Sequence, residues 1–333
     1  MPSLQYDSRY SFITGVIRAL EVGRLTREVI DQVLEMETAG DALNHIRKTL
    51  YASFQGRPEP GESPDSFLHT VREGVYVFVE RYTFHGGIPL LFRLGYDYHN
   101  IKALLRGKIF EVPVRDSIHG SGTVEAGEME AIFRDEEYDR LPDPMGHAVE
   151  MSVEEYYTTR SPLVLDVTVD RFLHSDLLDR ARALSSPFIE GYVRSCTDLL
   201  NFRIFSRAGD YLRETGMRKR LFISGGFIHS RLFEELADAS PDESPLLADR
   251  HGYGRIARVM AEEGKYRYGL ERECESTLIE YLGQARFLIW GMEALFAYAA
   301  MLERELSILG IIMSGKESGV PREEIKRRLP WIF

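Results

Sequence analysis

Apolar residues along this chain recur mostly at spacings of three and four. Val29, Val33 and Met36 show this spacing, and so do Leu278 and Leu282. The spacing is that of a helix with one apolar face. Runs that could form strands, such as residues 163–169, are few and isolated. The pattern therefore predicts an all-α protein.

Several helix boundaries can be read from single residues. Thr26 followed by Glu28 is a candidate N-cap, and Ser152 with Glu155 forms a capping-box pattern. Pro321 fits the first turn of a terminal helix, where its missing amide is no loss. Two segments rich in proline, glycine and serine are predicted to be irregular: residues 55–66 and 241–254.

A turn containing glycine, followed by an apolar residue and a helical pattern, occurs four times. The apolar residues of these turns are Leu25, Val124, Ile228 and Val320, so the successive spacings are 99, 104 and 92 residues. Supersecondary units that recur at a similar period indicate a repeated architecture. The chain is predicted to form three similar helical-bundle domains near residues 1–115, 116–216 and 217–333.

A polar motif recurs inside the helices that precede two of these turns. Residues 97–106 match residues 198–207, and residues 305–314 keep the acid and the apolar positions. At about 100° per residue an acid and an amide fall on the packed face of each helix. Because buried polar groups need partners, we expect donors from a neighbouring helix and a structural role. The predicted motif residues are Asp97, Asn100, Arg106, Asp198, Asn201 and Arg207.

The charge, the cysteines and the apolar stretches of the chain exclude some partners and sites. The formal net charge of −11 has the wrong sign for a protein that neutralises nucleic-acid phosphates. Cys196 and Cys274 form no CxxC pair, which excludes a cysteine-built zinc site and favours the cytoplasm. The longest apolar stretch, residues 287–302, is too short to span a bilayer.

Negative charge is concentrated in residues 125–155, where 11 acidic residues stand against Arg134 and Arg140. A run of this kind is typical of a solvated acidic surface. It also fits a docking face for a basic partner, and both interpretations stay open.

The sequence offers no recognisable catalytic, cofactor or metal signature. Residues 310–317 spell GxxxxGK, but Glu317 stands where a phosphate loop needs serine or threonine for magnesium. The histidine spacings of zincins and di-iron bundles and the GxSxG pattern of hydrolases do not occur. His85, His99 and His229 are interpreted as surface or packing residues. We predict no catalytic, cofactor-binding or metal-binding residues.

Four segments in order along the chain carry a resemblance to a known family. They are residues 97–108 (DYHNIKALLRGK), 186–208 (SPFIEGYVRSCTDLLNFRIFSRA), 223–236 (ISGGFIHSRLFEEL) and 305–329 (ELSILGIIMSGKESGVPREEIKRRL). The sequence resembles the C subunit of archaeal and bacterial V/A-type ATPases, whose family includes the d subunit of vacuolar ATPases. The similarity runs from about Tyr10 to Leu329. In the third copy Ile308 and Gly310 depart from the family's asparagine and basic residue.

The resemblance implies a funnel of three similar helical domains in a pseudo-threefold arrangement. It implies a non-catalytic protein on the cytoplasmic face of the membrane that couples the central shaft, formed by the D and F subunits, to the proteolipid ring for proton or sodium transport. No cofactor and no nucleic-acid partner are expected.

Two alternatives come from other classes of protein. One is a helical enzyme whose site forms only in the fold, from residues such as Asp97, His99 and Asp198. The other is a helical-repeat scaffold unrelated to rotary ATPases.

Overall fold

A computed structural model describes residues 7–55, 62–114, 117–213, 215–262, 268–288 and 290–330. All regular elements among these residues are helical, which confirms the all-α prediction. The α-helices are α1 (Ser11–Leu20), α2 (Arg27–Glu35), α3 (Ala39–Ile46), α4 (Pro64–Tyr82), α5 (Gly87–Phe110), α6 (Ala126–Asp135), α7 (Met145–Thr159), α8 (Pro162–Ala183), α9 (Pro187–Ala208), α10 (Thr215–Leu221), α11 (Ser230–Asp238), α12 (Ser244–Asp249), α13 (Gly254–Glu262), α14 (Tyr268–Gly283), α15 (Met292–Glu317) and α16 (Arg322–Arg328). Short 3-10 turns include Glu21–Gly23, Leu50–Ser53 and Gln284–Phe287.

Helix starts follow the local sequence at two of the predicted positions, Thr26 and Pro321. The Thr26 hydroxyl accepts a hydrogen bond from the Val29 amide, as an N-cap does. Pro321 caps α16 directly before its first residue. The segment 163–169 lies inside α8, because Ser161 caps this helix and Pro162 occupies its first turn. This strand-like run is therefore helical, in agreement with the all-α prediction.

Two of the sequence predictions are wrong in the fold. Ser152 does not start a helix: it is buried inside α7, and its hydroxyl donates to the carbonyl of Ala148. A serine that donates back to the preceding turn is compatible with a helix interior, so the capping-box pattern was misleading. The predicted irregular segment 241–254 contains α12, which starts with a proline in its first turn. In the predicted loop 55–66, residues 56–61 lie outside the described residues, and α4 already begins at Pro64.

The chain divides into two compact units. The first contains Met1–Ile88, Ser186–Tyr192 and Arg255–Phe333. Its centre is α15, which packs against α1, α3, α4, α14 and α16. Side chains on all sides of α15 are buried, as expected for a helix that is apolar all round and enclosed by others.

The second unit contains Pro89–Ser185 and Val193–Gly254. Helices α7 and α8 pack along each other in this unit. One buried cluster includes Tyr98, Ile101 and Phe133, and a smaller one joins Val164 to Ile204 and Leu221. The division of the chain into three similar domains, and their arrangement as a funnel, stay predictions.

Candidate functional site

The candidate site is a set of buried acids, each bound to one of the recurring glycine-containing turns. We call each acid together with the turn it binds a clamp. The first turn is residues 23–25, the second residues 122–124 and the third residues 226–228.

The Asp97 clamp holds the second turn. Asp97 lies on α5 and is fully buried. Its carboxylate accepts the Thr123 amide at 2.9 Å, the Val124 amide at 3.0 Å and the Thr123 hydroxyl at 2.6 Å. The next helix, α6, begins two residues after this turn. Asp97 therefore fixes the chain at the point where it enters α6.

The Asp198 clamp holds the third turn in the same way. Asp198 lies on α9 and is buried. It accepts the Phe227 amide at 2.9 Å and the Ile228 amide at 3.3 Å. Its third donor is the hydroxyl of Tyr253, also at 2.9 Å. The donors to Asp97 come from its turn, and those to Asp198 come from its turn and from Tyr253, which precedes α13. None of these donors lies in a neighbouring helix, which corrects the expectation from sequence.

The third acid binds the first turn of the chain. Glu305 lies on α15 and is buried. Its carboxylate accepts the Leu25 amide at 3.4 Å and the Nε of Arg24 at 2.7 Å. It also accepts a short hydrogen bond from the Tyr51 hydroxyl. The Glu305 clamp thus joins residues from opposite ends of the sequence.

The fourth turn, at Val320, has a different role. The Val320 amide donates to the Gly315 carbonyl at 2.8 Å, and Gly319 has a positive φ of 66°. This bond across five residues, with a glycine in the left-handed region, is the Schellman ending of a helix. Of the four glycine-containing turns found in the sequence, three are therefore bound by a buried acid, and the fourth ends a helix.

Glycines in two clamped turns are required by the closeness of the acid. A Cβ built on Gly122 would lie 2.2 Å from Oδ1 of Asp97, and one built on Gly226 would lie 1.8 Å from Oδ1 of Asp198. Any side chain at these positions would collide with the carboxylate. The glycine two residues before the apolar residue is thus a sequence signal of the clamp.

The asparagines of the motif form hydrogen bonds with the segment of backbone that leads into the turn. Asn100 donates to the His119 carbonyl at 2.8 Å and accepts the His119 amide at 2.9 Å. Asn201 makes the same pair with Ile223, at 2.7 and 2.8 Å. Each amide side chain therefore pairs with both polar groups of one residue, as a neighbouring backbone would.

The third copy lacks this asparagine, and the fold gives the reason. Five residues before Val124 and Ile228 stand His119 and Ile223, and five before Leu25 stands Leu20. Leu20 is the last residue of α1, so this stretch of backbone belongs to a helix. No amide side chain is needed there, and buried Ile308 packs in its place.

Burial governs the protonation of the three acids. It raises the pKa of Asp97 and of Asp198, against the hydrogen bonds from the turn amides, which lower it. Burial also raises the pKa of Glu305, and Arg24 and Tyr51 oppose this shift. The native fold therefore binds protons at these acids more tightly than ordinary carboxylates do.

The two tyrosines were missed by sequence reasoning. Tyr51 donates to Glu305 and Tyr253 donates to Asp198. Tyr51 stands 26 residues after Leu25, and Tyr253 stands 25 residues after Ile228, so a comparison of spacings would have found them. In the second clamp the hydroxyl of Thr123 supplies the corresponding bond.

Arg106 and Arg207 lie outside the clamps. Arg106 pairs with Asp166 of α8, with its Nε 3.0 Å from Oδ1. Arg207 is exposed, and its Nε donates to the Arg203 carbonyl of its own helix at 3.3 Å. The structure thus brings four of the six motif residues to the turns, and the stabilising role of the motif stays a prediction.

Candidate catalytic residues are engaged in separate contacts. Nε2 of His99 lies 3.0 Å from the Ser117 carbonyl, and burial lowers the pKa of this histidine. The GxxxxGK residues lie within α15, where Lys316 donates to the Leu34 carbonyl at 3.1 Å and to the Met36 carbonyl. In the part of the chain that the structure describes, no group of three histidine, cysteine or acidic residues could hold a metal ion.

The acidic segment forms local ion pairs between exposed side chains. Arg134 pairs with Asp135 at 3.0 Å, and Arg140 pairs with Glu137 at 2.8 Å. Exposed pairs of this kind contribute little to stability. Both interpretations of the segment, as solvated surface and as docking face, stay open.

Comparison with known proteins gives the family. Among the described residues no helix combines the length and apolar composition that crossing a membrane requires. No curated protein matches the chain. The family model described as ATP synthase (C/AC39) subunit matches residues 13–328, which confirms the resemblance read from the sequence. Because this match spans nearly the whole chain, the protein belongs to the ATP synthase (C/AC39) subunit family, that of the C and d subunits of V/A-type ATPases.

Proposed function

We propose that the protein is the non-catalytic coupler of a rotary V/A-type ATPase. In this role it binds the central shaft, formed by the D and F subunits, and the membrane proteolipid ring, and passes rotation between them during proton or sodium transport. The observation that carries the proposal is the family match over residues 13–328. The protein would lie peripherally on the cytoplasmic face of the membrane and reach the bilayer only through the ring.

The clamps support this proposal on physical grounds. Torque passes through a body without loss only if its helices keep their relative orientation under load. In each clamp the buried acid accepts at least three hydrogen bonds, at least two of them from the turn, and charged acceptors make stronger bonds than neutral ones. The proposal includes three similar helical domains arranged as a funnel.

Two binding experiments test the proposal. The purified chain should retain the D and F subunits in a pull-down, and separately retain detergent-solubilised rings. It should show no ATP hydrolysis above the background that a Lys316→Ala variant also gives. Binding to neither partner would contradict the proposal, and so would hydrolysis that the Lys316→Ala change abolishes.

A further inference from the structure

The first unit carries an open groove with an apolar floor. Its volume is about 590 Å³. Leu282 of α14 and Ala297 and Met301 of α15 form part of its lining, and all three are buried in the fold. We call this feature the docking groove.

The rim of the docking groove carries one of the most exposed large apolar side chains in the described residues. Phe287 lines the groove and is 71% exposed. An aromatic side chain that stands in water beside an apolar floor is typical of an interaction surface.

The rim is held in place before any partner binds. Arg18 of α1 donates to the carbonyls of Ala285 and Leu288 at 2.8 Å. These two carbonyls flank Phe287 in the sequence, so the turn that presents the ring is tied to α1. A preformed rim reduces the ordering cost of binding.

Charges around the docking groove are paired, with one exception. Glu21 pairs with Arg18 at 2.7 Å, and Glu280 pairs with Arg255 at 3.0 Å. Arg24 is engaged by Glu305. The exception is Arg286, which has no carboxylate partner among the described residues.

The guanidinium of Arg286 lies 4.6 Å from the centre of the Phe287 ring. The groove therefore presents one available cation beside an apolar surface. A partner that is complementary to this groove presents a set of apolar side chains with a carboxylate next to them.

A lipid surface fits this pattern poorly. Recognition of anionic headgroups typically uses clusters of four to eight lysines and arginines. Here a single available cation stands beside Glu21 and Glu280, in a chain whose net charge is −11. The concave floor and the single cation favour a protein helix with an acidic residue beside its apolar face.

We propose that the docking groove binds an amphipathic helix of the shaft, with its apolar face against Phe287 and the groove floor and a carboxylate on Arg286. This inference rests on the proposed function, which supplies the shaft as partner. The shaft rather than the ring is chosen because the apolar side chains of a membrane ring lie within the hydrocarbon core. A soluble helix is the partner that can present such a face in water.

The test is the dissociation constant of the purified chain for the D and F subunits. Phe287→Asp should weaken binding roughly tenfold or more, as expected for an apolar anchor at an interface. The matched control is Leu246→Asp, because Leu246 is 70% exposed but lies on α12 in the other unit. This control should bind the shaft like the wild type.

A charge reversal tests the carboxylate contact. Arg286→Glu should weaken shaft binding several-fold, mainly through a slower association that is most evident at low salt. The control is Arg231→Glu on α11, a residue whose side chain is 86% exposed. It should leave the association rate unchanged.

The outcomes separate this inference from the proposed function. If the wild type binds neither shaft nor ring, the proposed function fails. If the wild type binds the shaft and Phe287→Asp binds it equally well, the docking groove is overturned and the coupler stands. The groove proposal is also overturned if Phe287→Asp instead abolishes binding to rings, abolishes binding to vesicles of anionic lipid, or converts a dimer of this chain into a monomer.

Discussion

The clamp of the first unit and the clamps of the second unit use one chemical device over very different distances along the chain. Asp97 and Asp198 bind turns that lie 26 to 30 residues further on. Glu305 binds Leu25, 280 residues away, and its other partners are the side chains of Arg24 and Tyr51. A turn close in sequence is thus held mainly through its amides, whereas the distant one is held mainly through side chains.

This difference indicates what each clamp does. The bonds of Asp97 and Asp198 order a local connection between two helices. The bonds of Glu305 fasten α15 to the turn that follows α1, so they close the first unit on itself. The closing clamp also contains an ion pair between buried Glu305 and partly buried Arg24, whose disruption is more costly than the loss of neutral hydrogen bonds.

The largest predicted effect is therefore at Glu305. Glu305→Ala leaves the partly buried Arg24 and the buried Tyr51 without this acceptor, and we expect it to lower the free energy of unfolding by about 3 to 5 kcal/mol. Asp198→Ala should lower it by about 1 to 3 kcal/mol. Urea denaturation of both variants measures the difference. Equal losses would show that the two kinds of clamp are equivalent.

The next effect concerns the glycines of the second unit. Gly226→Ala places a Cβ 1.8 Å from Oδ1 of Asp198, and we expect a loss of about 1 to 3 kcal/mol from forced repacking. The control is Gly95→Ala inside α5, where a Cβ meets nothing within 4 Å and should stabilise the helix by up to about 1 kcal/mol. Thermal unfolding of both compares the signs. A neutral Gly226→Ala would contradict the described geometry of the clamp.

A smaller loss of stability is predicted at the position of the motif asparagine, which is Asn201 in the second unit and Ile308 in the first. Asn201→Leu leaves both polar groups of Ile223 without their partner and should cost about 1 to 2 kcal/mol. The converse change, Ile308→Asn, should also destabilise, because the backbone at Leu20 is already helical and offers the amide no pair. Hydrogen exchange at the Ile223 amide should quicken only in the first variant. A stabilising Ile308→Asn would overturn the explanation of the departure in the third copy.

The smallest predicted effect is a dependence on pH. Because burial raises the pKa of Glu305 in the fold, the native state binds more protons than the unfolded chain as the pH rises above the ordinary value of about 4.3. Stability from this group is complete below that value and is lost as the pH rises through the folded pKa. Glu305→Gln does not titrate, so the stability of the wild type relative to this variant should fall across this range. A relative stability that rises instead would contradict the sign of the shift.

The sequence predicted the fold class, two of the clamp acids and the two asparagines beside them because both signals are periodic. Apolar spacing gave the helices, and the repeat between residues 97–106 and 198–207 gave Asp97, Asn100, Asp198 and Asn201. Partners are fixed by the packing of distant segments, which no local pattern contains. The pairing of Glu305 with the first turn, rather than with nearby Val320, is the clearest example.

Arg106 and Arg207 differ from these four residues in their contacts. Their repeat spacing matched, but they lie nine residues beyond the acid, where one side chain pairs with Asp166 and the other bonds its own helix. Similar spacing alone does not distinguish a residue that packs at a turn from one that lies on a solvated face.

The most direct test of the central claim is bridging between shaft and ring. Fluorescent D and F subunits are mixed with proteoliposomes that contain the proteolipid ring, with and without the protein, and sedimented. We predict that the shaft sediments with the rings only when the protein is present, and that Leu246→Asp bridges as well as the wild type. Sedimentation of the shaft that is the same with and without the protein would contradict the coupler function.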